Sequence, residues 1–197
     1  TFLNSLLLQL DPSLVDLALV TFSNGAGVEM PLPSAVPDVR SRVLSRLADG
    51  DTRMGAGVAL AHSQLLGPHG DRSLPQTILI VSDGVFKDDP AAAIAAAQAD
   101  GIRVRAIVLS TPGIEAEAQA RLDAAVGDGD SVLVDPLPEM VGEALQRLVA
   151  FRPNPGLFRS ITVTDVVPGN MTYLDGTAHP DAVHDEEDVL AVVVDLG

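Results

Sequence analysis

The run Ile78-Leu79-Ile80-Val81, stopping at Ser82-Asp83-Gly84, constrains this chain more than any other segment. Four successive aliphatic residues leave no polar face. A strand built from them must be covered on both sides, as a parallel strand in the middle of an α/β sheet is. Its end at a carboxylate and a glycine marks the carboxyl edge of such a sheet, where the ligand-binding crevice lies. A second turn, Gly50-Asp51-Thr52-Arg53-Met54-Gly55, falls between two helical patterns and offers the carboxylate of Asp51 and the hydroxyl of Thr52. Oxygen ligands gathered at one edge suit a hard divalent cation, which keeps positions open for water or an incoming acid.

The rest of the chain alternates strand and helix patterns. Strands are expected at 16–22, 76–82, 103–110 and 131–134, with a short edge strand at 28–32 after the Gly25-Ala26-Gly27 turn. Helical stripes cover 36–47, 55–66, 88–99, 115–126 and 138–150. This order predicts a doubly wound, mostly parallel sheet with helices on both faces and one antiparallel edge strand. At Phe151-Arg152-Pro153-Asn154-Pro155-Gly156 the periodicity stops. Residues 151–156 therefore read as a linker between an α/β domain, 1–150, and a β-rich segment, 157–197. Within that segment 161–167, 171–174 and 189–194 read as strands, separated by Pro168-Gly169 and Asp175-Gly176 turns.

Composition excludes several functions. A formal charge of -15 argues against nucleic acid or an anionic membrane as partner, because both reward Lys and Arg. With no cysteine in 197 residues, disulfides, zinc-thiolate sites and thiol nucleophiles are all absent. No apolar run approaches the length of a membrane span, so no membrane insertion is expected. His62, His69, His179 and His184 lack metal-ligand spacing. The acidic run Asp185-Glu186-Glu187-Asp188 lacks the glycine and alternating oxygens of a calcium loop and reads as solvated.

Taken in order, Leu17-Ala18-Leu19-Val20-Thr21-Phe22-Ser23, Gly50-Asp51-Thr52 opening a helix through Ala56-Gly57-Val58-Ala59-Leu60-Ala61, Ile80-Val81-Ser82-Asp83-Gly84 and the strand from Arg103 to Leu109 resemble the von Willebrand factor type A domain over residues 1 to about 150. The resemblance implies a metal-ion-dependent adhesion site made of an Asp-x-Ser-x-Ser turn after the first strand, a Thr in a Gly-rich loop and an Asp ending the fourth strand. Thr52 and Asp83 fall on the second and third positions as metal ligands; Asp51 beside them reads as an accessory ligand, a group that holds a water of the ion, or a solvated turn residue. The chain opens at Thr1-Phe2-Leu3-Asn4-Ser5, which matches the back of the family's first helix. The first strand and its Ser-rich turn are therefore expected upstream, and the central strand is expected from another part of the protein or another chain. Thr164-Asp165-Val166-Val167-Pro168, with Met171-Thr172-Tyr173, resembles the opening of bacterial surface β-sandwich repeats. The segment 157–197 is accordingly expected to be part of a sandwich.

Two function classes follow from this resemblance. One is a non-enzymatic adhesion or protein-binding module of a bacterial surface or secreted protein, which captures an acidic side chain through Mg2+ (or Mn2+ or Ca2+) in the complete protein. The other is a cytoplasmic adaptor working with a hexameric ATPase, or a metal-free scaffold. An enzyme is disfavoured because the edge offers ligands without a paired base or nucleophile. With only Thr52 and Asp83 as side-chain ligands, weak or no magnesium binding is expected of this chain alone.

Overall fold

The computed structural model describes residues 2–10, 12, 15–44, 53–83, 86–110, 115–127, 130–150 and 188–195. A short helix α1 (Phe2–Leu8) leads into the hairpin β1 (Val15–Phe22) and β2 (Ala26–Ser34). There follow α2 (Val36–Leu44), α3 (Met54–Leu66), β3 (Gln76–Ser82), α4 (Ala91–Ala99), β4 (Arg103–Leu109), α5 (Glu115–Val126) and β5 (Ser131–Val134). A 3-10 turn (Pro138–Met140) then opens α6 (Val141–Ala150), and β6 (Asp188–Asp195) comes last. The six strands form one sheet in the order β2-β1-β6-β3-β4-β5. Among the described strands only the β1–β2 pair is antiparallel.

The sheet is covered on both faces, as the β3 sequence requires. Successive strand residues point to opposite sides. Ile78 and Ile80 accordingly join Ala18, Val20, Val104 and Ala106 beneath α3, α4 and α5. Their neighbours Leu79 and Val81 join Leu17, Leu19 and Ile107 on the other face, beneath α1, α2 and α6. Every residue of β3 is buried, with Ile78 and Ile80 at 0% exposure and Val81 at 3%. Each such side chain contributes roughly 1.5–3 kcal/mol relative to an exposed one.

The central position is filled from within the chain. β6 lies between β1 and β3 and pairs with both in parallel, Val192 standing opposite Leu19 on one side and Leu79 on the other. Residues 188–195 thus belong to the α/β sheet, not to a separate sandwich as their position in the sequence implied. The reason is in their composition. Val189-Leu190-Ala191-Val192-Val193-Val194 has no polar alternation, which suits a strand covered on both faces and not a half-exposed sandwich strand. The other strands expected at 161–167 and 171–174 lie outside the described residues.

Two element boundaries also shift. The hairpin's second strand runs from Ala26 to Ser34, longer than 28–32, because it follows β1 along most of its length. α4 begins at Ala91, not at 88, because Asp88 and Asp89 direct their carboxylates to backbone N–H groups instead of entering the helix.

Candidate functional site

β1, β6 and β3 end together at the carboxyl edge of the sheet. Asp195 pairs with Phe22, the last residue of β1. On the other side Val194 pairs with Val81, so Asp195 and Asp83 lie at the ends of adjacent strands. Asp83 is half-buried just beyond β3. The entrance of α3 is tied to the same edge, since the Arg53 N–H donates to the Ser23 carbonyl at 3.1 Å. Gly57 in α3 allows close approach to β1. A Cβ there would lie 2.8 Å from Phe22 Cδ1, inside any normal contact.

The amino end of α3 has no cap of its own. Arg53, at the N-cap, makes no side-chain capping bond. Asp88, from the segment after β3, replaces it: the N–H groups of Gly55 and Ala56 donate to its two carboxylate oxygens at 3.1 and 3.2 Å. These are two of the donors that a helix start leaves unsatisfied, and the helix dipole favours a negative group there. Gly55 makes room for this carboxylate, as a Cβ would stand 3.0 Å from Asp88 Oδ2 and 3.1 Å from the Asp89 carbonyl oxygen. Asp89 in turn accepts the Ala91 N–H at 3.0 Å and closes the start of α4. One carboxylate therefore clamps the β3–α4 connection onto the start of α3.

Of the residues singled out from the sequence, the structure brings Asp83 to this edge. Asp51 and Thr52 lie outside the described residues. The sequence reading missed Asp88 and Asp195. Asp88 was absorbed into a helix pattern by the Pro90 and Ala-rich run that follow it. Asp195 had a usable signal: Val193-Val194-Asp195-Leu196-Gly197 repeats the texture of Ile80-Val81-Ser82-Asp83-Gly84, an aliphatic run that stops at Asp and Gly.

Among the described residues no three His, Cys, Asp or Glu side chains are grouped to hold a metal ion. The donors at the edge are nevertheless of the right kind, since Asp83 and Asp195 carry hard oxygen ligands. Asp88 already accepts one backbone N–H on each carboxylate oxygen at the start of α3. The other charged features lie elsewhere. Glu29 accepts from Arg42 at 2.6 Å and from the Thr21 hydroxyl at 3.3 Å on the hairpin. His62 meets Asp100 at 2.9 Å between α3 and the end of α4. In the turn before β3, hydrogen bonds from the Ser73 hydroxyl and N–H hold the Asp71 carboxyl below its ordinary pKa.

The sequence profile of the von Willebrand factor type A domain matches residues 1–130. The chain belongs to this family. Solved structures with the type A fold resemble it over most of its length. An aerotolerance-related membrane protein from Bacteroides fragilis is 17% identical with a TM-score of 0.59, covering 76% of this chain and 85% of its own. BatB from Bacteroides thetaiotaomicron is 16% identical with a TM-score of 0.60, over 76% of this chain and 84% of its own. The manganese-loaded TRAP protein of Plasmodium vivax is 15% identical with a TM-score of 0.60, over 77% of this chain and 63% of its own. These likenesses extend the type A fold to this chain and carry no function with them. A search of curated proteins finds no sequence match. No helix among the described residues is long and apolar enough to cross a membrane.

Proposed function

We propose that this type A domain is a non-catalytic protein-binding module that captures its partner at the carboxyl edge of the sheet. The observation that carries the reading is the convergence of Asp83 and Asp195 at the ends of neighbouring central strands, beside the amino end of α3. A divalent cation, Mg2+ or the related Mn2+ or Ca2+, would be held there by Asp83, with Thr52 from the preceding loop and Asp195 as further oxygen ligands. The ion would supply an electrophilic position for a carboxylate of the partner. The chain's own groups do the rest: β3 fixes Asp83 through its buried ladder, and Asp88 holds the start of α3 against the loop after β3. The manganese in the TRAP structure supports a metal in this family without assigning one here. Capture of acidic protein ligands suits a surface or secreted setting, and we place the domain there.

The test uses manganese and immobilised peptides. With Asp195 added to the two ligands read from the sequence, electron paramagnetic titration of the full chain should show one Mn2+ site, weakened at least tenfold by Asp83→Asn, a loss of about 1.4 kcal/mol or more. Beads carrying a glutamate peptide should retain the chain with Mg2+ present, release it with EDTA and fail to retain Asp83→Asn. Glutamine peptides should not retain it. Retention that survives both EDTA and Asp83→Asn would place binding on another surface and refute the reading.

A further inference from the structure

Positive charge is scarce in this chain, which carries 12 Lys and Arg against 27 Asp and Glu, so the places where it gathers are informative. Several of the described cations engage neighbours away from the candidate site. Arg40 donates to Asn4, Arg42 pairs with Glu29, Arg147 pairs with Glu143, and the buried Arg105 lies 3.8 Å from Asp130. Arg72 and Arg103 stand at the opposite, amino edge of the sheet, before β3 and at the start of β4. Arg53, Lys87 and Arg121 are different. Arg53 opens α3, Lys87 adjoins Asp88 in the connection after β3, and Arg121 lies on α5; all three are exposed.

Arg121 is held in place by an aromatic ring. Phe86, three residues beyond Asp83, is 6% exposed in the core beneath α3, α4 and α5, and the Arg121 guanidinium lies 4.0 Å from its ring centroid. Side chains lean toward the amino end of their helix, which for α5 is the carboxyl edge of the sheet. The N–H donors of a guanidinium lie in its plane, so stacking one face on a ring leaves them directed outward in the fork that matches a carboxylate. The acidic groups nearby have other work: Asp88 and Asp89 accept backbone N–H groups at the starts of α3 and α4, and Asp83 and Asp195 are ligands of the proposed cation. We infer that the partner is an acidic protein segment that presents a second carboxylate to Arg121, beside the one that reaches the cation, with Arg53 and Lys87 flanking it. This rests on the metal-bridged reading above and adds a second anchor to it. A net charge of -15 repels such a segment from other approaches, so cations at this edge orient the partner as well as hold it.

Peptides test the inference on the full chain with Mg2+ present. A parent peptide carries a single glutamate among glutamines, and each derivative adds a second glutamate at a different distance from the first. At least one derivative should bind about threefold more tightly than the parent, the scale of an exposed ion pair. The gain should disappear in about 0.5 M salt, which screens exposed charges. Arg121→Met keeps an apolar cover over Phe86 and should lose the gain, while binding the parent peptide and Mn2+ as the wild type does. Arg121→Lys keeps the charge without the planar fork and should retain part of it. If no derivative exceeds the parent, or the gain survives in Arg121→Met, the inference is overturned and the metal site still stands. If Arg121→Met loses parent and Mn2+ binding as well, Arg121 only supports the edge, which also overturns it. A wild-type chain that ignores the parent peptide in Mg2+ refutes the adhesion reading and this inference with it.

Discussion

β3 and β6 are neighbours in the sheet with nearly the same aliphatic chemistry, and each is paired on both sides, yet they reach their places by different routes. β3 is set between α3 and α4, and its side chains divide between two cores that reach every helix of the domain. β6 is paired with β1 and β3 and arrives from a distant part of the chain. Strand composition therefore decides that a segment can occupy the middle of a sheet. Connectivity decides how far along the chain that segment lies from the strands it pairs with.

The sharpest way to break this contrast is to cut into β3. Ile80→Ala removes a side chain that is 0% exposed and should cost about 2–5 kcal/mol in urea unfolding, through lost transfer energy and the cavity left behind. The loss should be global, speeding exchange across β1, β3 and β4 together. A response confined to β3 alone would show that the two cores do not depend on it.

A smaller effect is expected where α3 packs onto β1. Gly57→Val forces a side chain against the Phe22 ring and should destabilise by about 1–3 kcal/mol, while exchange within β4 keeps its rank. Asp88→Ala removes the carboxylate that serves the start of α3 and should cost about 0.5–2 kcal/mol. Asp88→Asn keeps an acceptor and should lose less. If Asp88→Ala also leaves Mn2+ affinity untouched, Asp88 acts on the helix alone and not on the site behind it.

The smallest effect belongs to Asp71, at the turn that leads into β3. Its folded pKa is lowered, first by the Ser73 hydroxyl and then by the Ser73 N–H. The stability it contributes is therefore present above the unfolded carboxylate pKa and is lost as the pH falls through the lowered folded value. Ser73→Ala should flatten this acid dependence slightly, and should do so without altering exchange in β6. A change in β6 would show that the turn before β3 controls its neighbour.

Much of the fold was legible in local chemistry. The uninterrupted run Ile78–Val81 demanded cover on both faces, and the structure buries it completely. The Gly25-Ala26-Gly27 turn placed an antiparallel pair at one edge. Periodicity located most helices to within a few residues. Asp83 was readable as an edge residue because an aliphatic run stopped there. Asp88 was not, because its role depends on Gly55 and Ala56, far away in sequence, and no local pattern records which N–H groups a carboxylate will meet.

The sequence by itself determined the strand and helix alternation, the two-sided burial of the central strand and the place of Asp83 at the strand's end, since each follows from the order of side chains along a short stretch. The tertiary structure alone decided that residues 188–195 close the sheet between β1 and β3, that Asp195 ends beside Asp83, and that Asp88 completes α3. Those outcomes depend on which distant backbone groups are left unpaired once the local elements have formed, and hydrogen-bond demand of that kind has no sequence periodicity to reveal it.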